Sequence, residues 1–182
     1  MEQALLLKQL QVLDPSSPWH GQVVDILVNQ GQIAEIAPNL EVSSAKVLEG
    51  QGAVVSQGWV DGQVHFREPG EEPKEGLAHG LQVAAAAGMT QVALLPSTHP
   101  TVEHAVAVES LLAKGAKAQA SGCPTQVLPM GCVTEQGQGQ QLAEMSDMAH
   151  HGAVAFTDDA PMDRVGALQR ALTYSRAHGK TV

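Results

Sequence analysis

Trp59-Val60-Asp61-Gly62-Gln63-Val64-His65-Phe66-Arg67-Glu68-Pro69-Gly70 is the stretch whose reading decides the fold. It begins apolar, turns polar, and stops at Pro-Gly. On an extended segment side chains alternate, so Gln63, His65 and Arg67 share one face while Val64 and Phe66 take the other. Beyond Gly70 the chain keeps a rhythm of strand then helix. The Ala-rich run Lys74–Ala87 is a strong helix former closed by Gly88. Further strands are expected at Thr90–Leu95, Gln126–Met130 and Ala153–Phe156. Further helices are expected at Val102–Ala120, Gly139–His151 and Asp163–His178, the last ending at Gly179. Thr181-Val182 reads as the start of another apolar segment. Strands alternating with helices imply βαβ units and a parallel sheet with right-handed crossovers. Four units fit either an open doubly wound sheet or the first half of a (β/α)₈ barrel.

Upstream of Gly58 the pattern differs. Val23–Val28 and Ile33–Ala37 flank Asn29-Gln30-Gly31-Gln32, a hairpin signal. Leu5-Leu6-Leu7 to Val12-Leu13 and Ala45–Leu48 add strand candidates, with Asp14-Pro15-Ser16-Ser17-Pro18 and Pro38-Asn39 breaking the chain between them. No helix of useful length is expected there. The division is therefore a small β-rich domain over residues 1–57 and the βα units over residues 58–182.

Hydrophobic residues make up 43% of the 182 positions and charged residues 16%, enough apolar material for a core and against disorder. A formal net charge of −9, with scattered basic residues and 3% aromatics, argues against nucleic-acid binding and against an anionic membrane surface. No apolar run approaches the ~20 residues of a membrane span, and the start of the chain lacks the pattern of a signal peptide. Cys123 and Cys132 form neither a disulfide framework nor a zinc spacing, and read as reduced thiols of a cytoplasmic protein. No Gly-x-Gly-x-x-Gly, phosphate loop or Gly-x-Ser-x-Gly element is present, which leaves nucleotide cofactors and serine-hydrolase chemistry without support.

Three polar clusters close expected strands, where α/β proteins place their sites. In the first, His65 could ligate a metal through a neutral imidazole, and Arg67 could grip a carboxylate at the same mouth. The plainer alternative is a satisfied core histidine and a surface arginine. In the second, Thr157-Asp158-Asp159-Ala160, adjacent acids face opposite ways, so one could enter a site. The alternative for Asp159, just before Pro161, is an N-cap. In the third, Leu95-Pro96-Ser97-Thr98-His99-Pro100, Ser97 and His99 could face a ligand or simply lead into a helix.

These clusters, with Gly58–Gly70, Lys74-Glu75, Ala84–Thr90 and Gly152–Asp159, resemble the opening of dihydroorotases in the amidohydrolase superfamily, along essentially the whole chain. The resemblance implies a small composite β domain beside a (β/α)₈ barrel with a zinc centre at its mouth. It implies reversible cyclisation of N-carbamoyl-aspartate to dihydroorotate in pyrimidine biosynthesis, by a metal-activated hydroxide. On that resemblance His65 is a metal ligand. Gln63 stands at the first position of the family's His-x-His pair as a weak ligand. Asp158 takes the bridging position, with Asp159 the alternative. Arg67 matches the arginine that holds the substrate carboxylate, and Ser97 occupies the place of the family's asparagine, another carboxylate contact. The later metal histidines and the catalytic aspartate are expected beyond residue 182, so no catalytic residue is assigned within this chain. The resemblance also raises homo-oligomerisation and aspartate transcarbamoylase as a partner. Two alternatives accompany it: a non-catalytic homologue serving as a scaffold, motivated by Gln63 and Ser97, and a hydantoinase-like hydrolase.

Overall fold

In the computed structural model, residues 3–162 and 164–182 are described. The chain divides into two compact units, Met1–Gln57 and Gly58–Val182.

The first unit is built of short strands: β1 (Leu5–Val12), β2 (Val23–Asn29), β3 (Gln32–Ala37), β4 (Lys46–Glu49) and β5 (Val54–Val55). Their order is β3-β2-β1-β4, with β5 also pairing β1. The β2–β3 hairpin turns on Gln30 and Gly31, both with positive φ (51° and 73°), the geometry that matches the twist of paired strands. Leu10, Val12, Val24 and Ile26 make its core. Buried beside them, Asp25 accepts hydrogen bonds from the backbone N–H of Gln9 and of Leu40, both at 2.9 Å. Gln9 lies at the irregularity where β1 shifts register against β2, so the carboxylate pairs an amide released by the break in the ladder.

The second unit is a four-stranded parallel sheet in sequential order: β6 (Trp59–Val64), β7 (Met89–Leu94), β8 (Gln126–Gly131) and β9 (Ala155–Phe156). Helices α1 (Leu77–Ala86), α2 (Ala105–Ala120), α3 (Met145–His150) and α4 (Val165–Ala177) link or follow the strands. Beyond β9, Thr181 bridges Ala155 in parallel, continuing the same succession. The core lies between sheet and helices and includes Leu81, Val92, Val108, Val127, Met148 and Phe156. Val64 and Phe66 pack against it, as their alternation with Gln63 and His65 requires. Two glycines allow helices to come close: a Cβ on Gly80 of α1 would lie 2.5 Å from the Phe66 ring, and one on Gly115 of α2 would lie 2.8 Å from Val127.

The helices are shorter than their sequence patterns. α1 starts at Leu77 rather than Lys74, after Gly76 in extended backbone, with Glu68 receiving the Leu77 N–H. α2 starts at Ala105 rather than Val102. Val102 is buried and donates its N–H to the Pro96 carbonyl, which holds it in the loop. The expected helix Gly139–His151 shrinks to Met145–His150. Ahead of it come a 3₁₀ turn at Glu135–Gly137 and a Thr134–Leu142 bridge, which absorb those residues. α4 starts at Val165; Asp163, the expected first residue, lies outside the described residues.

Phe156 is 1% exposed, at the centre of this core. Phe156→Ala is expected to lower stability by about 3–5 kcal/mol in chemical denaturation, because the emptied volume cannot close fully.

Candidate active site

A parallel sheet brings the carboxyl ends of all its strands to one edge, and three of the strand ends converge there. His65 follows β6, Ser97 follows β7 and Asp159 follows β9. The Ser97 hydroxyl donates a 2.9 Å hydrogen bond to Asp159 Oδ2 and lies 3.4 Å from His65 Nδ1. The other ring nitrogen, Nε2, is 3.3 Å from the same carboxylate oxygen. The His65 and Asp159 side chains are each about one-third exposed, at 34% and 35%, so the cluster is open to a ligand. Asp159 has φ +54°, and its N–H is received by the Thr157 hydroxyl at 3.1 Å. Because the Ser97 proton is given to Asp159, His65 is not set up as a base for that hydroxyl. The arrangement is not a serine-protease type of triad.

The neighbouring acid has a different job. Asp158 is 9% exposed, and its carboxylate accepts hydrogen bonds from Val133 N–H (2.8 Å), Thr134 N–H (2.9 Å) and the Thr134 hydroxyl (2.6 Å). Sequence reasoning preferred Asp158 over Asp159 as the acid beside His65. The geometry reverses that order, because Asp158 is turned inward onto the loop after β8. Nor does Asp159 cap the following helix: α4 begins at Val165, with Arg164 at its N-cap.

Arg67 has a left-handed backbone (φ +58°) and its guanidinium reaches Glu71, 3.5 Å away. That pairing leaves it 40% exposed, and the structure records no bond from it to the His65 cluster. Gln63 lies within β6, two residues before His65, and is exposed. His99 is exposed too, and its backbone packs against Gly70 while its N–H donates to the Pro69 carbonyl. Cys132, next to this edge, is 1% exposed; burial first, and the charge of Asp158 second, push its thiol up to about 12.

The donors can be tested against a metal. Two ligands of one tetrahedral zinc, N at about 2.05 Å and O at about 2.1 Å, stand about 3.4 Å apart. The 3.3 Å between His65 Nε2 and Asp159 Oδ2 is close to that separation. A catalytic zinc uses three protein ligands, and no group of three His, Cys, Asp or Glu residues suited to a metal occurs among the described residues. His65 and Asp159 therefore fit two positions of such a centre and do not complete one.

A family model described as dihydro-orotase-like matches residues 52–175, more than half of the chain. The chain belongs to the dihydroorotase-like family. It is 36% identical over 181 residues to the dihydroorotase of Pelotomaculum thermopropionicum, covering 98% of this chain and 40% of that protein. With the dihydroorotase of Geobacter sulfurreducens the identity is 38% over 177 residues, covering 96% and 40%. The chain thus spans about 40% of the length of the curated relatives it matches. Among solved structures, the L-hydantoinase (dihydropyrimidinase) from Arthrobacter aurescens superposes with a TM-score of 0.71 at 21% identity, over 98% of this chain and 40% of that one. A dihydroorotase superposes with a TM-score of 0.60 at 12% identity, over 98% and 50%. These likenesses show the fold: the curled parallel sheet with outer helices is a half-barrel of the amidohydrolase type, as expected, and not an open doubly wound sheet.

One feature of this dihydroorotase-like chain escaped sequence reasoning. Glu68, within the Arg-Glu-Pro-Gly element, turns away from His65. Its Oε2 accepts the Leu77 N–H at 2.8 Å, and its Oε1 accepts a 2.6 Å bond from Lys114 of α2. It thereby caps α1, links α1 to α2 and anchors the loop that carries Arg67. The only sequence signal was an acid shortly before an Ala-rich helix; the pairing with Lys114, 46 residues away, had none.

Lys114, first through its hydrogen bond, holds the Glu68 carboxyl below the usual carboxylate range. A lowered folded-state pKa stabilises above the ordinary value, and that contribution is lost as pH falls through the folded one. Lys114→Met is therefore expected to lower Tm at neutral pH. The gap to wild type should close as the solution is acidified through the carboxylate range, read by thermal melts in a pH series. In alkylation of the native protein at pH 8, Cys132 is expected to stay unmodified and the half-buried Cys123 to take the label, read by peptide mass spectrometry.

Proposed function

We propose that the protein acts as a dihydroorotase-like cyclic amidohydrolase, interconverting N-carbamoyl-aspartate and dihydroorotate in pyrimidine biosynthesis. The observation that carries this reading is the convergence of His65, Ser97 and Asp159 at the carboxyl edge of the half-barrel of a dihydroorotase-like chain. His65 and Asp159 would hold a metal, zinc being the ion their nitrogen and oxygen donors suit, and Gln63 is a weak further candidate. When bound, such an ion supplies Lewis-acid polarisation and an activated water. The residues of this chain orient the reactants. Ser97 fixes the rotamer of Asp159 by donating to Oδ2, which holds that oxygen 3.3 Å from His65 Nε2. Arg67, at the end of the same strand, is the cation available for a substrate carboxylate. It would have to exchange its 3.5 Å contact with Glu71 for a bidentate grip.

A second reading is a non-catalytic homologue that keeps the fold as a scaffold, with aspartate transcarbamoylase as its partner. Gln63 favours it, because an amide oxygen is a weak zinc ligand where an imidazole is expected. The hydantoinase-like alternative rests on a structural likeness at 21% identity, against 36–38% with dihydroorotases. A small-molecule substrate, association with further copies of the chain and a cytoplasmic location complete the proposal. No helix among the described residues is long and apolar enough to cross a membrane.

The deciding experiment measures bound zinc and ring closure of N-carbamoyl-aspartate in the full protein. Turnover is expected with Gln63 in place, falling at least tenfold in kcat/KM on Arg67→Met, about 1.4 kcal/mol of lost transition-state binding. A zinc-free, inactive protein that gains activity on Gln63→His would establish the scaffold reading instead. Preference for a hydantoin over dihydroorotate would overturn the role given to Arg67.

A further inference from the structure

The geometry points to Asp158 as the positioning residue of the site: through its three hydrogen bonds to Val133 and Thr134 it sets the backbone that delivers Asp159 to His65 and Ser97. This deepens the reading above and rests on its assignment of Asp159 to the site.

Three observations support it. First, β9 is only two residues long, so its ladder with β8 ends at Gly131 and Phe156. Past that point one further backbone bond to β8 follows, Thr157 N–H to the Gly131 carbonyl at 3.0 Å, and the Asp159 N–H turns to the Thr157 hydroxyl. Sheet pairing alone therefore does not fix residues 158 and 159. Second, Asp159 sits at φ +54°, a left-handed conformation that a non-glycine residue holds where its surroundings support it. The Asp158 carboxylate, anchored one residue earlier on two backbone amides and a hydroxyl of a distant loop, ties this segment to the β8 side, and the Thr157 hydroxyl bond to the Asp159 N–H is purely local. Third, the clamp is closed on its far side. The Thr134 hydroxyl that donates to Asp158 also accepts the Gly139 N–H at 2.8 Å, and Thr134 bridges Leu142, so the β8 loop offers a fixed receptor rather than a floating one. With Asp158 drawn inward, the left-handed turn at Asp159 brings the next carboxylate to Ser97 and His65.

Asp158→Ala strands two backbone donors and a hydroxyl, and frees Asp159 to rotate away. Asp158→Asn keeps the shape and at least one acceptor oxygen. Thr134→Val removes only the hydroxyl contact. The readout is the position of the His65 ring resonances in the full protein labelled with ¹³C-histidine, at one fixed pH, assigned as the signal lost on His65→Gln. Asp159→Asn calibrates the displacement caused by losing the carboxylate from His65. Asp158→Ala is expected to displace the signal in the same direction and by a comparable amount, although Asp158 does not touch the ring. Thr134→Val should give a smaller displacement, and Asp158→Asn should restore most of the wild-type position. Thr125→Ala deletes a buried 2.7 Å bond to the Met89 carbonyl at the opposite end of the sheet, and should leave the signal in place. An unmoved signal in Asp158→Ala, or an equal displacement in Thr125→Ala, overturns the proposal. If Asp158→Ala does not fold, Thr134→Val decides: an unmoved signal there overturns it equally. The spectra are recorded on protein stripped of metal with EDTA and do not depend on turnover, so a protein found inactive would defeat the catalytic reading and leave this test intact.

Discussion

Parallel pairing of β6, β7, β8 and β9 is the constraint on which the remaining structure depends. Parallel neighbours cannot be joined by tight turns, so each pair needs a crossover, and helices supply it for β6–β7, β7–β8 and β8–β9. The crossovers put the helices on one face, which buries Val92, Val108, Val127 and Phe156 between the layers. The same pairing puts every strand's carboxyl end at one edge. Residues 65, 97 and 159, far apart in the chain, become neighbours only because each stands just past the end of its strand.

Four acids in this unit show how environment divides labour among like groups. Glu68 lies on the outer side and serves α1 and Lys114. Asp158 is buried and fully engaged in three hydrogen bonds, which makes it structural. Asp159, one residue on and about one-third exposed, keeps an oxygen near an imidazole. Glu71 occupies Arg67 and Lys74 at the surface. A buried carboxylate without donors would cost several kcal/mol, so burial selects the acid with the best-placed donors and leaves the other partly exposed.

The family resemblance and the geometry bear on different questions. The match to the dihydroorotase-like family gives the chain its family, and the half-barrel fold agrees with it. The side chains define which of the site's residues meet. Gln63, two residues before His65 and exposed, is a position where a substitution changes donor chemistry without emptying the core.

Periodicity and punctuation carried the fold: the alternation of strands and helices, the change of pattern near Gly58, the hairpin at Gln30-Gly31, and the polar ends of three strands were all legible. These are local signals, set by backbone propensity and by which side chains avoid water. Helix starts were not legible, because α1, α2 and α3 begin where Glu68, Val102 and Thr134 make contacts distant in sequence. Nor was the choice between Asp158 and Asp159. Adjacent acids have the same intrinsic chemistry, and only the donors presented by the β8 loop, a separate segment, determine which is consumed and which is free. The sequence by itself determined the kind of fold and the neighbourhood of the site; tertiary structure decided which atoms face each other there, because hydrogen-bond partners are assigned in space and not along the chain.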